Sequence, residues 1–426
     1  MASPAQPDPA SPPAPWPARG SLVVLSDDWG RHPSSCQHLV GQLMRQRPGL
    51  DVLWVNTIGM RRPSLTLADA KRALGRLRRR PAGQSGSAGG AVSGRPTPRV
   101  VSPWMYPGFR SGWQRRWNAN ALVRAALGAV AQDHRPATLL TTLPITADVI
   151  EPLRDAGVID RAVYYAVDDF SQWPGVDGRA MDEMERRQAV RVDAAVCAGE
   201  ALRDRVTSML QGGRVPPDEV GLLPHGVDVE AWSLERVAPM RSSSSRDVGR
   251  PRFVFWGLID ARMDAGWLRA LAAEQPGAEI ELVGPAQAVG SVAGIPGVEL
   301  PGPALYDELP RWAAGADVLV MPYVDAPVTR AMAPLKLLEY LAAGWFDGFK
   351  PVVVRNLPAT RPWADCCDVV DTAEAFARVC RDRAAAGCPP EQAEARRRRL
   401  AGQAWSEKAR VLASVLFAEG GLRKDR

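Results

Sequence analysis

Residues 329–354, TRAMAPLKLLEYLAAGWFDGFKPVVV, predict a helix followed by a buried parallel strand. Pro334 has the fixed φ that suits the first turn of a helix, the residues after it are good helix formers, and Gly344 can end the helix. The run KPVVV is typical of a buried strand. A helix that leads into such a strand favours an α/β fold.

Two charged residues of this helix indicate an anionic ligand. Lys336 falls in the first turn, where the helix dipole and the unpaired N–H groups disfavour a cation and favour an anion. A phosphate group beside that turn would explain the lysine. Glu339 lies on the same face, so a nucleotide sugar could contact the lysine through its phosphates and the carboxylate through its hydroxyls. The spacing fits equally well an i,i+3 ion pair on a solvent-exposed face.

Length and composition point to a two-domain globular protein. The chain has 426 residues, too many for one ordinary core. No run of eighteen apolar residues occurs, so the sequence predicts no transmembrane helix. Residues 1–19 are rich in proline and alanine and lack the regions of a signal peptide, so we expect a disordered tail and a cytoplasmic protein. The cysteines show no metal-binding or CxxC spacing, which favours free thiols.

The net charge of +6 and the pI near 9.2 suit an anionic partner. Much of this charge is local, because residues 60–81 hold eight Lys/Arg with interleaved leucines and residues 395–400 hold four arginines. A basic helix over 60–81 could lie on the inner face of the cell membrane, or it could be a solvated face of an Arg-rich protein. Nucleic acid is disfavoured because no recognition motif accompanies these arginines.

The first half of the chain alternates apolar runs with helical patterns, which predicts βαβ units and a parallel sheet. Seven strand candidates fall in an N-terminal Rossmann-like acceptor domain over 20–235. A Gly/Ser-rich flexible insertion is predicted over 82–98. A linker over 236–251 follows, rich in serine.

Strand, glycine loop and helix recur in the second half, which predicts a C-terminal nucleotide-sugar-binding domain over 252–402. A long helix over 391–420 is expected to close the chain, with residues 403–426 crossing back to the N-terminal domain. The strands lack a GxGxxG motif, which disfavours a dinucleotide-binding dehydrogenase.

Polar residues follow two strands of the first half, where open α/β sheets bind ligands. Asp168 and Asp169 come directly after the strand RAVYYAV, so either could hold a sugar hydroxyl or deprotonate an acceptor. An Asp-Asp pair at this position can equally be a helix cap and a loop contact. His32 and Ser34, in the loop after the first strand, are acceptor-side candidates.

Four stretches of the second half, in this order, resemble GT-B glycosyltransferases, in particular the family 4 type of bacterial cell-surface polysaccharide synthesis. They are LLPHGVD (222–228), FVFWGLIDARMDAGWLRAL (253–271), ADVLVMPYVDAPVTRAMAPLKLLEYLAAG (316–344) and KPVVV (350–354). The resemblance extends over about residues 20–418 and is weaker in the first half. There, YYAVDDFSQW (164–173) resembles a subgroup that includes teichuronic-acid transferases.

The resemblance implies a GT-B fold, with two Rossmann-like parallel-sheet domains that face a central cleft. It also implies roles for individual residues. Glu339 would bind the donor ribose, Gly257 would face the diphosphate, and Arg262 and Lys336 would neutralise it. Arg330 could assist. Gly302 and Tyr306 would lie in the loop that holds the base, although Tyr306 could instead be a packing residue at a helix start.

Three positions depart from the family pattern. The first acid of the paired-glutamate motif is Ala331, so its sugar contact is missing or comes from Asp325, Thr329 or backbone amides. Five residues, WFDGF (345–349), are inserted before Lys350 and could form a lip over the donor or an interaction knob. His225 replaces the usual asparagine and is expected to shape the hinge between the domains.

The resemblance implies transfer of a sugar from a nucleoside-diphosphate sugar to a polysaccharide or lipid-linked acceptor, with retention of configuration and without a metal or other cofactor. Two alternatives remain open from the sequence. A GT-B sugar-nucleotide epimerase would turn over the donor without an acceptor. A degenerate nucleotide-sugar-binding or scaffold protein would bind the donor without transfer, as the missing first acid and the insertion allow.

Overall fold

The computed structural model describes residues 20–30, 33–58, 96–173, 175–233, 237–240, 249–287 and 289–418. The predicted tail over 1–19, the basic helix over 60–81, residues 82–95 of the predicted insertion and His32 lie outside these ranges.

The first half forms a parallel sheet of seven strands in the order β3-β2-β1-β4-β5-β6-β7. The strands are β1 (Gly20–Ser26), β2 (Leu50–Asn56), β3 (Arg99–Val101), β4 (Ala137–Thr141), β5 (Ile159–Ala166), β6 (Ala194–Cys197) and β7 (Gly221–Leu222). The helices between them are α1 (Ser35–Gln46), α2 (Gly112–Ala129), α3 (Ile150–Asp155), α4 (Gly178–Ala189) and α5 (Glu200–Met209). The seven apolar runs that predicted strands therefore all contribute to one sheet.

The second half forms a parallel sheet of six strands in the order β10-β9-β8-β11-β12-β13. The strands are β8 (Arg252–Trp256), β9 (Glu279–Val283), β10 (Val298–Gly302), β11 (Val318–Met321), β12 (Val352–Arg355) and β13 (Asp368–Val370). The helices are α6 (Ala265–Glu274), α7 (Leu309–Gly315), α8 (Pro327–Arg330), α9 (Leu335–Ala342), α10 (Ala373–Ala386), α11 (Pro390–Leu400) and α12 (Trp405–Leu416). The prediction of two parallel-sheet α/β domains is confirmed.

Two strands of the second sheet were not predicted, and both lie at its edges. β10 contains Pro301 and has no fully buried residue, and β13 has only three half-buried residues. Neither has the apolar run that marks a central strand, because an edge strand is covered on fewer sides.

The domains have separate hydrophobic cores, and the chain crosses between them twice. Leu223 still packs in the first core, whereas Val227 and Trp232 pack in the second, so the first crossing lies before the predicted boundary at 235. The serine-rich linker suggested that boundary, but the buried residues ahead of it already belong to the second domain.

The predicted helix over 391–420 is interrupted at residues 401–404, where the chain crosses back. There Val227 pairs with Ala404 in an isolated β-bridge, which brings the two crossings side by side. α12 packs into the core of the first domain, and Arg161 Nε of β5 donates to the carbonyl of Val415 at 3.0 Å. The last helix is therefore a structural part of the N-terminal domain.

Six cysteines have free thiols, five of which are buried. They are Cys36, Cys197, Cys366, Cys367, Cys380 and Cys388. Within the described ranges, no helix combines the length and the apolarity needed to cross a bilayer.

Candidate active site

The amino end of α9 faces the glycine turn that follows β8. The helix begins at Leu335, one residue after Pro334, and Lys336 is its second residue. The Lys336 side chain lies across Gly257: a Cβ at position 257 would be 2.7 Å from Lys336 Cε and 2.9 Å from the Phe255 ring. Gly257 has a φ of +151°, which favours glycine. The absence of a side chain at position 257 therefore makes room for the lysine.

The glycine turns after β8 and β9 pack directly against each other. A Cβ on Gly284 would lie 1.8 Å from the carbonyl oxygen of Gly257, so only glycine fits there. The Gly284 N–H donates to the carbonyl of Gly302, at the end of β10, at 2.8 Å. The sequence analysis selected Gly257 and Gly302 but missed Gly284. The three glycines place bare backbone at the carboxyl edge of the sheet, where a diphosphate could approach closely.

Arg262 is held beside this edge by Asp260. The Asp260 Oδ1 atom accepts from Arg262 Nε at 2.9 Å and from the Arg262 backbone N–H at 3.0 Å. Arg262 Nη1 lies 3.6 Å from Met332 Sδ, in the loop before α9. Burial alone would lower the pKa of the guanidinium, but the bond to Asp260 and neighbouring negative charge leave it raised. Arg262 is therefore a fixed cation on the loop that faces α9.

Lys336 lies in a cluster of charges from both domains. Burial lowers the pKa of its ammonium group, and the positive charge of Arg262 lowers it further. Three carboxylates act in the opposite direction: Glu339, Asp168 and Asp260. A phosphate group bound between Lys336 and Arg262 would reduce the repulsion between these two cations.

Glu339 is buried, so the solvent-exposed ion pair considered from the sequence does not form. Trp256 Nε1, at the end of β8, donates to Glu339 Oε2 at 2.9 Å. Burial raises the pKa of the Glu339 carboxyl, whereas the Trp256 bond and the Lys336 charge lower it. Trp256, which sequence reasoning did not select, thus fixes the orientation of Glu339.

Asp168 and Asp169 have different environments. Asp168 accepts from Trp173 Nε1 at 2.9 Å and from the Asp169 N–H at 2.9 Å. Burial raises the pKa of Asp168 to about 6, although the Trp173 bond and the charge of Arg262 lower it. Asp168 is therefore close enough to Arg262 of the second domain for that positive charge to lower the pKa of its carboxyl.

Asp169 instead caps the short 3₁₀ turn Phe170–Gln172. Its Oδ1 atom accepts from the Ser171 N–H at 3.1 Å and from the Ser171 hydroxyl. Its other oxygen lies 3.6 Å from Arg205 Nη1. Asp169 therefore caps this turn and lies near Arg205, and its catalytic role stays a prediction.

The acceptor-side candidate Ser34 is the N-cap of α1. Its hydroxyl accepts from the Gln37 N–H at 3.4 Å and donates to Asp27 Oδ1 at 2.9 Å. Asp27 in this loop is half-buried and also accepts from the Ser26 hydroxyl, and desolvation raises the pKa of its carboxyl. Asp27 follows β1 as Asp168 follows β5, so its position after a strand was a signal that the sequence analysis did not use. His32 lies outside the described residues.

His225 connects the two domains through both ring nitrogens. Its Nδ1 is 2.6 Å from the Ser35 hydroxyl at the start of α1, and its Nε2 is 2.9 Å from the carbonyl oxygen of Ala333, just before α9. Burial lowers the pKa of His225 to about 4, so the ring is neutral near pH 7. Since a carbonyl only accepts, Nε2 carries the proton and Nδ1 accepts from Ser35. His225 therefore links the first domain to the loop that leads to Lys336.

Aromatic rings form a row across the interface beside this link. Trp405 stacks on His38 at 4.9 Å, and His38 meets the edge of Tyr306 at 5.2 Å. Tyr306 contacts Trp232 edge-on at 6.4 Å, and Trp232 stacks on Trp256 at 5.3 Å. Tyr306, predicted either to hold the base or to pack at a helix start, begins a 3₁₀ turn and packs between the domains.

The architecture matches solved structures over almost its whole length. An α,α-trehalose-phosphate synthase (UDP-forming) from Burkholderia vietnamiensis aligns with a TM-score of 0.62 and 14% identity, covering 94% of this chain and 100% of the other. HepE from Anabaena, in complex with UDP and glucose, aligns with a TM-score of 0.56 and 13% identity over 93% and 95% of the chains. The chain has the GT-B fold. Identities this low establish the fold alone.

A curated relative covers part of this GT-B chain. TuaH of Bacillus subtilis (strain 168), named as a glycosyltransferase of teichuronic acid biosynthesis, is 33% identical over 189 residues. The match covers 43% of this chain and 45% of TuaH, so this chain spans about half the length of that relative. No protein-family model matches the chain.

Residues 325–331, ahead of α9, include several of the predicted donor contacts. Arg330, predicted to assist at the diphosphate, instead forms a bidentate ion pair with Asp325, and its side chain is 62% exposed. Thr329 is buried and its hydroxyl donates to the carbonyl of Val324 at 2.6 Å. Asp325 and Thr329, the candidates to replace the acid missing at Ala331, therefore each have a local partner.

The WFDGF insertion of this GT-B chain follows the carboxyl end of α9, opposite Lys336. Phe349 is buried under Arg396, and Lys350 is anchored by a bond from its N–H to the carbonyl of Ala343 at 3.0 Å. Phe346 is 61% exposed. The insertion is therefore not a lip at the amino end of α9, and α9 remains tied to the following strand.

Proposed function

We propose that this protein transfers a sugar from a nucleoside-diphosphate sugar to a polysaccharide or lipid-linked acceptor. The observation that carries the proposal is the Lys336 side chain lying across the glycine turn at Gly257, at the amino end of α9, with Arg262 close enough for its charge to lower the pKa of the lysine. Two cations, free helix N–H groups and bare backbone form a site suited to a diphosphate.

Each residue of the cluster has a role in this reaction. Lys336 and Arg262 bind the diphosphate and stabilise the negative charge that develops as it leaves. Glu339, oriented by Trp256, accepts hydrogen bonds from the ribose hydroxyls. Asp168 faces these groups from the other domain and contacts the transferred sugar or the acceptor hydroxyl.

The finer assignments belong to the same proposal. The similarity to TuaH supports a role in cell-envelope polysaccharide synthesis. HepE is described in complex with UDP-glucose, which supports a nucleotide-sugar donor. We further propose family 4 type chemistry with retention of configuration, no metal requirement, and a cytoplasmic enzyme at the inner membrane face.

The experiment is a thermal-shift screen against UDP-, GDP-, ADP- and TDP-sugars, repeated on Lys336→Ala and Glu339→Gln. We expect one nucleotide class to stabilise the wild type and both variants to respond at least tenfold more weakly, since each loses a bond to a charged group. Arg398→Ala, on the exposed face of α11, is the matched control and should respond like the wild type. A donor response that is equal in all four proteins would contradict the site.

Product analysis separates transfer from binding alone. Mass spectrometry of an acceptor incubated with the stabilising donor should show one added sugar, and the reaction should continue in EDTA. Donor binding without transfer to any envelope acceptor would favour the degenerate binding protein, which the alanine at 331 allows. Loss of activity in EDTA, restored by Mg²⁺ or Mn²⁺, would overturn metal independence alone.

A further inference from the structure

Aromatic side chains are exposed together on the surface of the N-terminal domain. Trp104, Trp113 and Trp117 are 64%, 56% and 47% exposed. Trp104 and Trp117 are in edge contact at 5.7 Å, and Tyr106 meets Trp113 at 4.7 Å. These four residues, in the loop after β3 and the first turns of α2, form a surface that we call the tryptophan patch. Clustered exposed indoles mark an interaction surface.

The patch is held in place from below. The buried side chain of Asn118 accepts from the Tyr106 N–H at 2.7 Å and donates to the carbonyls of Tyr106 and Gly108 at 3.0 and 3.1 Å. Met105 and Phe109 anchor the same loop in the core. Because the loop is fixed by these contacts, the exposed rings are a built feature of the surface.

Positive charge accompanies the rings. The outward face of α2 is made of exposed residues at helical spacing: Trp113, Arg116, Trp117, Asn120 and Arg124. Arg110, in the loop before α2, is also exposed and lies 3.7 Å from Asp177. Indoles mixed with arginines match the headgroup region of an anionic bilayer, where tryptophan prefers the interface and arginine pairs with phosphate.

The arrangement of the rings favours a bilayer over a glycan chain. The two ring pairs meet at 82° and 65°, so they offer no common flat face on which successive sugar rings could stack. Insertion into a headgroup layer requires no coplanar rings. The loop also follows the carboxyl end of β3, at the edge of the sheet from which Asp168 faces the cleft.

We propose that the tryptophan patch docks the protein on an anionic lipid bilayer. This surface is distinct from the basic helix predicted over 60–81, which lies outside the described residues. Docking there places the acceptor side of the cleft near the membrane surface. The proposal rests on the membrane location included in the proposed function and names the surface that makes the contact, whereas bilayer binding itself needs neither donor nor transfer.

The test is co-sedimentation of the full chain with vesicles of phosphatidylglycerol and phosphatidylcholine in equal parts, without nucleotide. Trp113→Ala/Trp117→Ala should weaken binding at least tenfold, since two interfacial indoles are lost. Arg116→Gln/Arg124→Gln should weaken it less and reduce its salt dependence. Phe346→Ala, which removes an exposed aromatic ring of the other domain, is the matched control and should bind like the wild type.

A second measurement needs no variant. Brominated lipids should quench part of the wild-type tryptophan fluorescence, and the double tryptophan variant should lose that quenching while keeping the wild-type melting temperature. The proposal is overturned if the wild type does not sediment with anionic vesicles, or if the tryptophan variant sediments as the wild type does. It is also overturned if a soluble anionic oligosaccharide binds the patch and vesicles do not. These outcomes leave donor binding untouched, so they are distinguishable from a failure of the proposed transferase activity.

Discussion

At the scale of single residues, the raised pKa of Asp168 makes a prediction about pH. An ionised Asp168 can accept a hydrogen bond from a sugar or acceptor hydroxyl, whereas the protonated form loses that acceptor charge. Since burial raises its pKa to about 6, transfer activity should fall as the pH drops through 6. In Asp168→Asn this acid limb should disappear, with activity about a hundredfold lower near neutral pH. If Asp168→Asn retains the acid limb, the titration of another group must cause it.

The Asp168→Asn substitution should also change how the stability of the protein depends on pH. The folded-state pKa of Asp168 lies above its ordinary value of 3.8, so the folded state binds the proton more tightly than the unfolded state. Ionising this group therefore costs stability, and the cost grows as the pH rises from about 4 to about 6. The melting temperature of Asp168→Asn relative to wild type should rise over that interval. Asp160→Asn, at the exposed start of β5, is the control and should show no such trend.

Gly257 provides a second prediction at this scale. In Gly257→Ala the new methyl group would meet Lys336 Cε at 2.7 Å and must displace the lysine from the turn. Donor affinity, measured by calorimetry, should drop about tenfold or more, because the ammonium no longer reaches the diphosphate. Gly128→Ala, in α2 with open space around it, should bind the donor normally. Equal affinities would show that Lys336 does not need its present position.

Sequence reasoning selected Lys336 and Glu339 from the pattern of a helix start, and Gly257 and Arg262 from the family resemblance. It could not separate Asp168 from Asp169, since adjacent carboxylates differ only in their tertiary contacts. It also missed Trp256, because the bond to Glu339 joins residues 83 positions apart. Local periodicity carries no information about such contacts.

At the scale of elements, Arg396 anchors α11 to the chain around the inserted residues 345–349. Its guanidinium is fully buried and donates to the carbonyls of Cys366 and Lys350 at 2.6 and 2.7 Å. Arg396→Met would leave both carbonyls without these donors, so urea denaturation should show a loss of about 3 kcal/mol. Arg398→Met, on the exposed face of the same helix, should change stability by less than about 0.5 kcal/mol. Similar losses in both variants would contradict an anchoring role.

The same helix shows where element prediction fails. The run ARRRRL reads as a solvated basic face, yet Arg396 within it is fully buried because its charge is satisfied by carbonyl oxygens and by the Phe349 ring. In the same way, β10 and β13 escape detection because edge strands need no continuous apolar run. Long central strands and amphipathic helices are predictable because their periodicity follows from burial on defined faces.

At the scale of the whole molecule, the Ser35–His225–Ala333 chain couples the orientation of the domains to the donor site. Ser35→Ala and His225→Ala should each weaken donor binding, because each breaks the link that holds the loop before Lys336. The double variant should be no weaker than His225→Ala alone, with a coupling energy of about 1 kcal/mol in a double-mutant cycle. Calorimetry of donor binding supplies the four affinities. Strictly additive effects would show that the serine and the histidine act independently.

The placement of α12 affects how this protein could be recombined with its relatives. Because the last helix completes the core of the N-terminal domain, a graft that exchanges the second half of the chain at a single junction would remove that helix from the core. A workable chimera needs two junctions, one between Leu223 and Val227 and one at residues 401–404, so that the terminal helix stays with its own sheet. A domain exchange that is meant to transfer donor specificity must therefore replace an internal segment of the chain. Both ends of the host chain must be kept.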